Sequence, residues 1–286
     1  MKGIKYFAAA DGGETRGAVT PIVTMDGSVY PGCMRVDARW YRAPSGGGGG
    51  ELYRQESDEL MVFAGSDCKN PASLDAVIKL RIENDVLTLT ETCAVFVPGG
   101  AARGDPEVVS ANRPVFCYSC SLNSDVFDGG TPAKASAPAG AYSANVVTGY
   151  RPPSGKLPDA PEGFLQLLLY LDSVRLPGAP YMETVWFMTS NDTGPAPHEH
   201  DFDEFIGFIG TDPDRPEELG AELVFYIGDE PVTVTKSCLV YIPRGVRHSP
   251  IIIPKMERPL IHFSGGNGGD YARRGATADT NMFSFE

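Results

Sequence analysis

The chain has 286 residues, with 24 Lys and Arg against 37 Asp and Glu, a formal net charge of −13 and a pI near 4.8. That balance, with no cluster of Lys and Arg, argues against a nucleic-acid partner, whose phosphates are held by such clusters, and an acidic membrane surface would repel the chain. Hydrophobic residues at 42% suffice for a sizeable core, so the chain is expected to be a soluble globular protein of one large or two ordinary domains. The 33 Gly and 24 Pro, set among short hydrophobic runs, predict many strands joined by turns.

The weakly apolar patch at 1–10 is shorter than a signal-peptide core, so a cytoplasmic location is expected. The longest apolar stretch, 164–171, falls far short of the roughly 20 residues a membrane span requires. Six cysteines (Cys33, Cys68, Cys93, Cys117, Cys120 and Cys238) show no repeating framework and are expected to be reduced, mostly buried thiols. Cys117 and Cys120 are three apart on an expected strand, which sends them to opposite faces and disfavours a redox or metal pair. Asn191-Asp-Thr193 matches a glycosylation sequon but is uninformative without a secretory signal.

Internal repetition organises the rest. At a constant offset of 145, Glu59 pairs with Glu204, Phe63 with Phe208, Gly65 with Gly210, Asp67 with Asp212, Pro71 with Pro216 and Leu74 with Leu219. The register continues without a gap through Cys93 and Cys238, Pro98 and Pro243, Gly100 and Gly245, to Arg113-Pro114 and Arg258-Pro259. One residue of slippage in the glycine run 46–50 shifts the offset to 146, and Trp40 then falls on Trp186 and Pro31-Gly32 on Pro177-Gly178. Two copies of one domain are the simplest account: residues 1–124 and 164–286, joined by a Gly-, Pro-, Ala- and Ser-rich surface crossing at 125–163. Alternation in 88–92 and 233–236, and the β-branched and aromatic run 222–227, predict short strands in two small β-barrels. The segments 265–269 and 283–286 are expected to cover a neighbouring strand.

All four histidines lie in the second copy, at His198, His200, His248 and His262. In an extended segment, His198, His200 and Glu204 share parity and project from one face, while Glu199, Asp201 and Asp203 alternate with them and face solvent. His248 follows a turn at Pro243, Arg244 and Gly245 that can return the chain to the same place. Imidazole and carboxylate together suit one divalent transition metal, Fe, Mn, Ni, Co, Zn or Cu.

These residues resemble the cupin superfamily, whose first motif runs His-x-His, three or four residues, Glu, then Gly, and whose second runs Pro-x-Gly-x-x-His. His198, His200, Glu204 and Gly210 match the first; Pro243, Gly245 and His248 match the second. The resemblance covers each repeat and implies an all-β chain of two tandem double-stranded β-helix (jelly-roll) barrels, with His198, His200, Glu204 and His248 as metal ligands. The first copy departs from the pattern: its ligand positions hold Tyr53, Gln55, Glu59 and Arg103. The expectation there is a barrel without metal, in which Arg103 pairs with buried Glu59 and Tyr53 and Gln55 complete the hydrogen bonds; the plainer reading has Arg103 facing solvent.

His262 belongs to neither motif. It reads as a partly buried, hydrogen-bonded histidine, with a second reading as a pocket acid or base. Ile206 and Phe208 share the ligands' parity and are expected as pocket walls; Arg247, Tyr226 and Trp186 are weaker pocket candidates. The leading functional expectation is a metal-dependent, dioxygenase-type oxidoreductase acting on a small organic molecule. Redox-neutral isomerisation or decarboxylation of a sugar or keto acid is the second, and a noncatalytic ligand-binding protein the third. A monomer or a homodimer is compatible with two fused barrels.

Overall fold

The computed structural model describes residues 6–11, 15, 17–42, 44, 51–122, 130–152, 158 and 160–269. The glycine run 46–50 and the chain end 283–286, on which two of the expectations above fall, lie outside them. Among the described residues no helix is long and apolar enough to cross a membrane. The chain is nearly all β and divides into two units, Gly13–Gly149 and Met1–Gly12 with Tyr150–Glu286.

In the first unit, one sheet takes the order Val146–Thr148, Cys93–Val97, Glu59–Gly65, Val115–Ser121, Arg35–Tyr41, Val19–Met25. In the second unit the order is Phe7–Ala9, Cys238–Ile242, Glu204–Gly210, Leu260–Gly266, Tyr181–Phe187, Leu165–Leu171. Apart from the first strand in each list, the bounds coincide at offsets of 145 and, for the last two strands, 146. A second sheet in each unit carries the long hairpin, Ser73–Ile82 with Asp85–Glu91 or Glu218–Ile227 with Glu230–Lys236. These are two jelly-roll barrels of the cupin type, built from one duplicated sequence.

Alternation produces the two-layer arrangement. Along Ser73–Ile82 every second residue (Leu74, Ala76, Ile78, Leu80, Ile82) is buried and joins the core beneath Phe63 and Val95. Leu219, Leu223 and Phe225 do the same beneath Phe208 and Val240. Each fully buried large side chain of this kind contributes about 2 to 3 kcal/mol.

The duplication extends to single hydrogen bonds. Gly65 N donates to Thr92 Oγ1 at 3.1 Å and Gly210 N to Ser237 Oγ at 3.0 Å. Gly100 N donates to Gln55 O and Gly245 N to His200 O, each at 2.8 Å. Gly100 and Gly245 sit at φ +83° and +74°, a region that favours glycine, and this explains the Pro-x-Gly spacing in both copies.

The boundaries differ from the expected 1–124, 125–163 and 164–286 in two respects. Phe7–Ala9 pairs with Cys238, Leu239 and Val240 of the second unit, and Phe7 packs edge-on against Phe225. The expected crossing contains Thr131–Ala133, paired with Leu52–Arg54, and Val146–Thr148, paired with Cys93, Ala94 and Val95. Between these strands, Glu83 accepts the amides of Ser136 and Ala137, Asp85 those of Gly140 and Tyr142, and Asn84 Nδ2 donates to Ala137 O at 2.8 Å. The segment is thus held by backbone groups, which leave no apolar periodicity to read.

Candidate metal centre

The local backbone brings the candidate ligands together. His198 and His248 form an antiparallel bridge, with His198 N to His248 O at 3.0 Å and His248 N to His198 O at 2.9 Å. Their rings lie 4.5 Å apart, and His200 lies 4.9 Å from His198 and 5.2 Å from His248. The bond from Gly245 N to His200 O ties the second motif's turn to the first motif. Burial alternates from 198 to 204 as expected, and His198, His200, Glu204 and His248 are each no more than 4% exposed. Asp201 is exposed, while Asp203 accepts Arg244 N at 2.9 Å and pairs with the Arg244 side chain.

One ligand atom from each of His198, His200 and His248 falls within 4.8 Å of the others. Glu204 Oε2 lies 3.1 Å from His248 Nε2 and 3.6 Å from His200 Nε2. His198 Nδ1 donates to Ala196 O at 2.7 Å and His248 Nδ1 to Val246 O at 3.0 Å, which leaves Nε2 of both rings as a lone-pair donor. His200 stacks on Phe202 at 4.7 Å. Burial alone would push the Glu204 carboxyl up; when the surrounding imidazoles carry protons, their charge outweighs it and holds the group at about 2. Lone pairs and a carboxylate crowded into one buried volume require positive charge between them. Three nitrogens and one oxygen fit a single first-row divalent ion.

Three of these residues, His198, Glu204 and His248, line a cavity of about 70 Å³. Its apolar wall includes Phe164, Val185, Phe187 and Ile206. Phe208, expected beside Ile206, instead stacks on His262 at 5.1 Å, and Phe187 stacks on the same imidazole at 4.7 Å. His262 also lines the cavity and donates Nδ1–H to Gly207 O at 3.1 Å, so it is both hydrogen-bonded and pocket-facing. Burial lowers its pKa to about 4, against a raising effect of the Gly207 bond and Glu204. Trp186 is buried in the wall's interior, Arg247 is exposed, and neither they nor Tyr226 line the cavity.

Sequence reasoning missed Tyr181, Glu183 and Ser264, which line the same cavity. Tyr181 Oη lies 3.4 Å from Glu183 Oε2 and 3.2 Å from Ser264 Oγ. The available signal was a carboxylate at the parity of Tyr181, Val185 and Phe187 in an otherwise apolar strand.

In the first unit the aligned positions contain no histidine. Arg103 forks onto Glu59, with Nη2 to Oε1 at 2.6 Å and Nε to Oε2, and its Nη1 donates to Tyr53 Oη. Gln55 Nε2 donates to Glu59 Oε2 at 2.7 Å. The expected pair and both supporting hydrogen bonds are present, and Arg103, at 4% exposure, does not face solvent. All six cysteines are free, five of them buried; burial pushes the Cys117 thiol up to about 12.

The fold and site define a two-barrel cupin architecture with one candidate metal centre. No protein-family model matches the chain, and no curated protein matches its sequence. Among solved structures, Bacillus subtilis oxalate decarboxylase at pH 4.6 aligns over 95% of this chain and 78% of its own, with a TM-score of 0.61 at 10% identity. AerE from Microcystis aeruginosa aligns over 92% of this chain and 98% of its own, with a TM-score of 0.50 at 12% identity. At these identities the likeness is one of fold.

Proposed function

We propose that the chain is a mononuclear metal-dependent enzyme acting on a compact organic molecule in the second unit, and that its reaction is redox-neutral, of the decarboxylase or isomerase type. The convergence of three buried imidazoles and Glu204 on one point beside the cavity carries this reading. His198, His200, Glu204 and His248 would hold the ion; in the first unit Arg103 supplies the positive charge, so one ion per chain is expected. When bound, a divalent ion polarises a carbonyl or carboxylate oxygen and stabilises the negative charge that develops there.

The wall supplies the proton chemistry. Glu183 is the group placed to take a proton from substrate or return one; Tyr181 orients its carboxylate and is itself held by Ser264. His262, neutral above about pH 4 with its Nδ1 proton on Gly207 O, offers Nε2 as an acceptor for a substrate hydroxyl. Phe164, Val185 and Ile206 exclude water from the reacting atoms. The fold-level likeness to oxalate decarboxylase agrees with a decarboxylase reading and names no substrate for this chain.

The apolar wall favours a second reading, dioxygenase chemistry. Elemental analysis comes first: about one equivalent of metal, lost in the His198→Ala, His200→Ala double variant, is expected. A panel of oxalate and small keto and hydroxy acids in D2O then separates the chemistries. Carbon dioxide release or deuterium incorporation without oxygen uptake supports the redox-neutral reading, and Glu183→Gln should slow it about 100-fold or more with metal content unchanged. Oxygen uptake would transfer the assignment to the dioxygenase.

A further inference from the structure

The first unit encloses a cavity of about 620 Å³, against about 70 Å³ in the second. Both are walled from the same strand positions. Arg35, Asp37, Arg39 and Tyr41 line the first, and the aligned Tyr181, Glu183, Val185 and Phe187 line the second. Arg103 likewise stands where His248 does. Three guanidinium groups in one wall thus replace a phenol, an isopropyl group and an imidazole in the other.

Two of the three are committed to carboxylates. Arg35 forks onto Asp37, Nε to Oδ2 at 2.8 Å and Nη2 to Oδ1 at 3.0 Å. Arg103 forks onto Glu59 as described, and the remaining wall carboxylate, Asp105, accepts Tyr53 Oη at 2.7 Å and lies 3.6 Å from Arg103 Nη1. Arg39 differs. Its side chain makes one hydrogen bond among the described residues, Nη2 to Ser119 Oγ at 2.9 Å, and no ion pair. The half-buried guanidinium therefore lines the cavity with Nε and Nη1 unused, and it stays charged at any ordinary pH.

We propose that this cavity binds a hydroxylated organic monocarboxylate, held by Arg39 without a metal ion. A planar fork with donors to spare matches a carboxylate. The wall's three arginines are balanced by Asp37, Glu59 and Asp105, so a monoanion is accommodated more readily than a dianion such as phosphate. Thr24, Ser119 and Ser121 on the same wall provide hydroxyls for a polyhydroxylated chain, and the volume lies within the range of metabolite pockets. The inference is independent of the metal centre, and its failure leaves that reading intact.

Calorimetric titration of the full chain, dialysed against a chelator, with glycolate, lactate, glycerate and gluconate tests it; glucose and inorganic phosphate serve as comparators. One-to-one binding of at least one hydroxy acid is expected, unchanged in the His198→Ala, His200→Ala variant. Arg39→Val, which installs the residue of the aligned position, should weaken it about tenfold or more. Asp37→Asn, which releases Arg35 from its fork, should tighten it, a gain that structural damage would not produce. No binding up to about 10 mM, which would be weaker than roughly 3 kcal/mol, would overturn the proposal. So would binding that is lost on chelation, binding indifferent to both substitutions, or glucose or phosphate binding as tightly.

Discussion

Burying a carboxylate requires a positive partner, and two equivalent residues meet that demand differently. Glu204 is surrounded by imidazoles whose lone pairs call for an ion, whereas Glu59 receives a permanent cation from Arg103. Arg103→Ala would leave Glu59 buried and unpaired, which should cost about 3 to 5 kcal/mol, while metal content stays unchanged. Denaturant midpoints with elemental analysis on the same sample check both halves; a loss of metal at unchanged stability would contradict the pairing. Replacing both partners, Arg103→Met with Glu59→Leu, should recover most of the stability, because no charge is then left buried. The ligand set and the Arg103 substitution were legible because His-x-His and Pro-x-Gly-x-x-His are dense local patterns, and an offset of 145 carries them onto Tyr53, Gln55, Glu59 and Arg103. Glu183, Tyr181 and Arg39 were not, since each is a single polar side chain at inward parity in a strand. Only the closed barrel shows that such a position faces a cavity rather than solvent.

Strand positions were legible wherever two copies could be compared, because a residue kept at both Gly65 and Gly210 marks a shared backbone constraint. A Cβ at Gly65 would lie 2.0 Å from the Ser73 carbonyl oxygen, and one at Gly210 would lie 1.9 Å from that of Glu218. Gly65→Ala and Gly210→Ala should each destabilise their own unit by about 3 kcal/mol, since backbone must move to admit the methyl. Amide hydrogen exchange assigns the loss to one unit or the other. The element that escaped the sequence reading, 131–148, has its middle fastened by the tip of the Ser73–Ile82 hairpin. Burial would raise the Glu83 carboxyl, but the amides of Ala102, Ser136 and Ala137, with Arg54, hold it down at about 2. Its folded pKa therefore lies below the ordinary value near 4.3, and the stability it supplies is present above that value and disappears as pH falls from about 4.3 towards 2. Glu83→Gln should cost about 2 kcal/mol at pH 7 and progressively less below pH 4. Urea titrations across that range measure the convergence, and a pH-independent difference would assign Glu83 a packing role instead.

At the scale of the molecule, the segment before each copy pairs in the unit built from the other copy. Phe7–Ala9 meets Cys238, Leu239 and Val240, and Val146–Thr148 meets the aligned Cys93, Ala94 and Val95. Domain boundaries drawn from the repeat therefore miss the units that the chain forms, because a repeat shows which segments are alike and not which strands complete a sheet. The exchange makes a sharp prediction about where damage appears. Phe7 is 6% exposed and packs against Phe225 in the core that carries Leu219 and Val240, although more than 200 residues separate the two rings in sequence. Phe7→Ala should cost about 3 kcal/mol through the cavity it leaves. The loss should fall on the Tyr150–Glu286 unit: exchange should quicken at the amides of 238–242, metal retention should weaken with it, and 93–97 should be unaffected. Val146→Ala, at the corresponding position of the other sheet, should show the opposite pattern with a smaller cost, because a partly buried isopropyl group is smaller than a buried phenyl ring. If both substitutions quickened exchange equally in both segments, the exchanged strands would be fastening the chain as one cooperative body rather than completing two separately stabilised sheets.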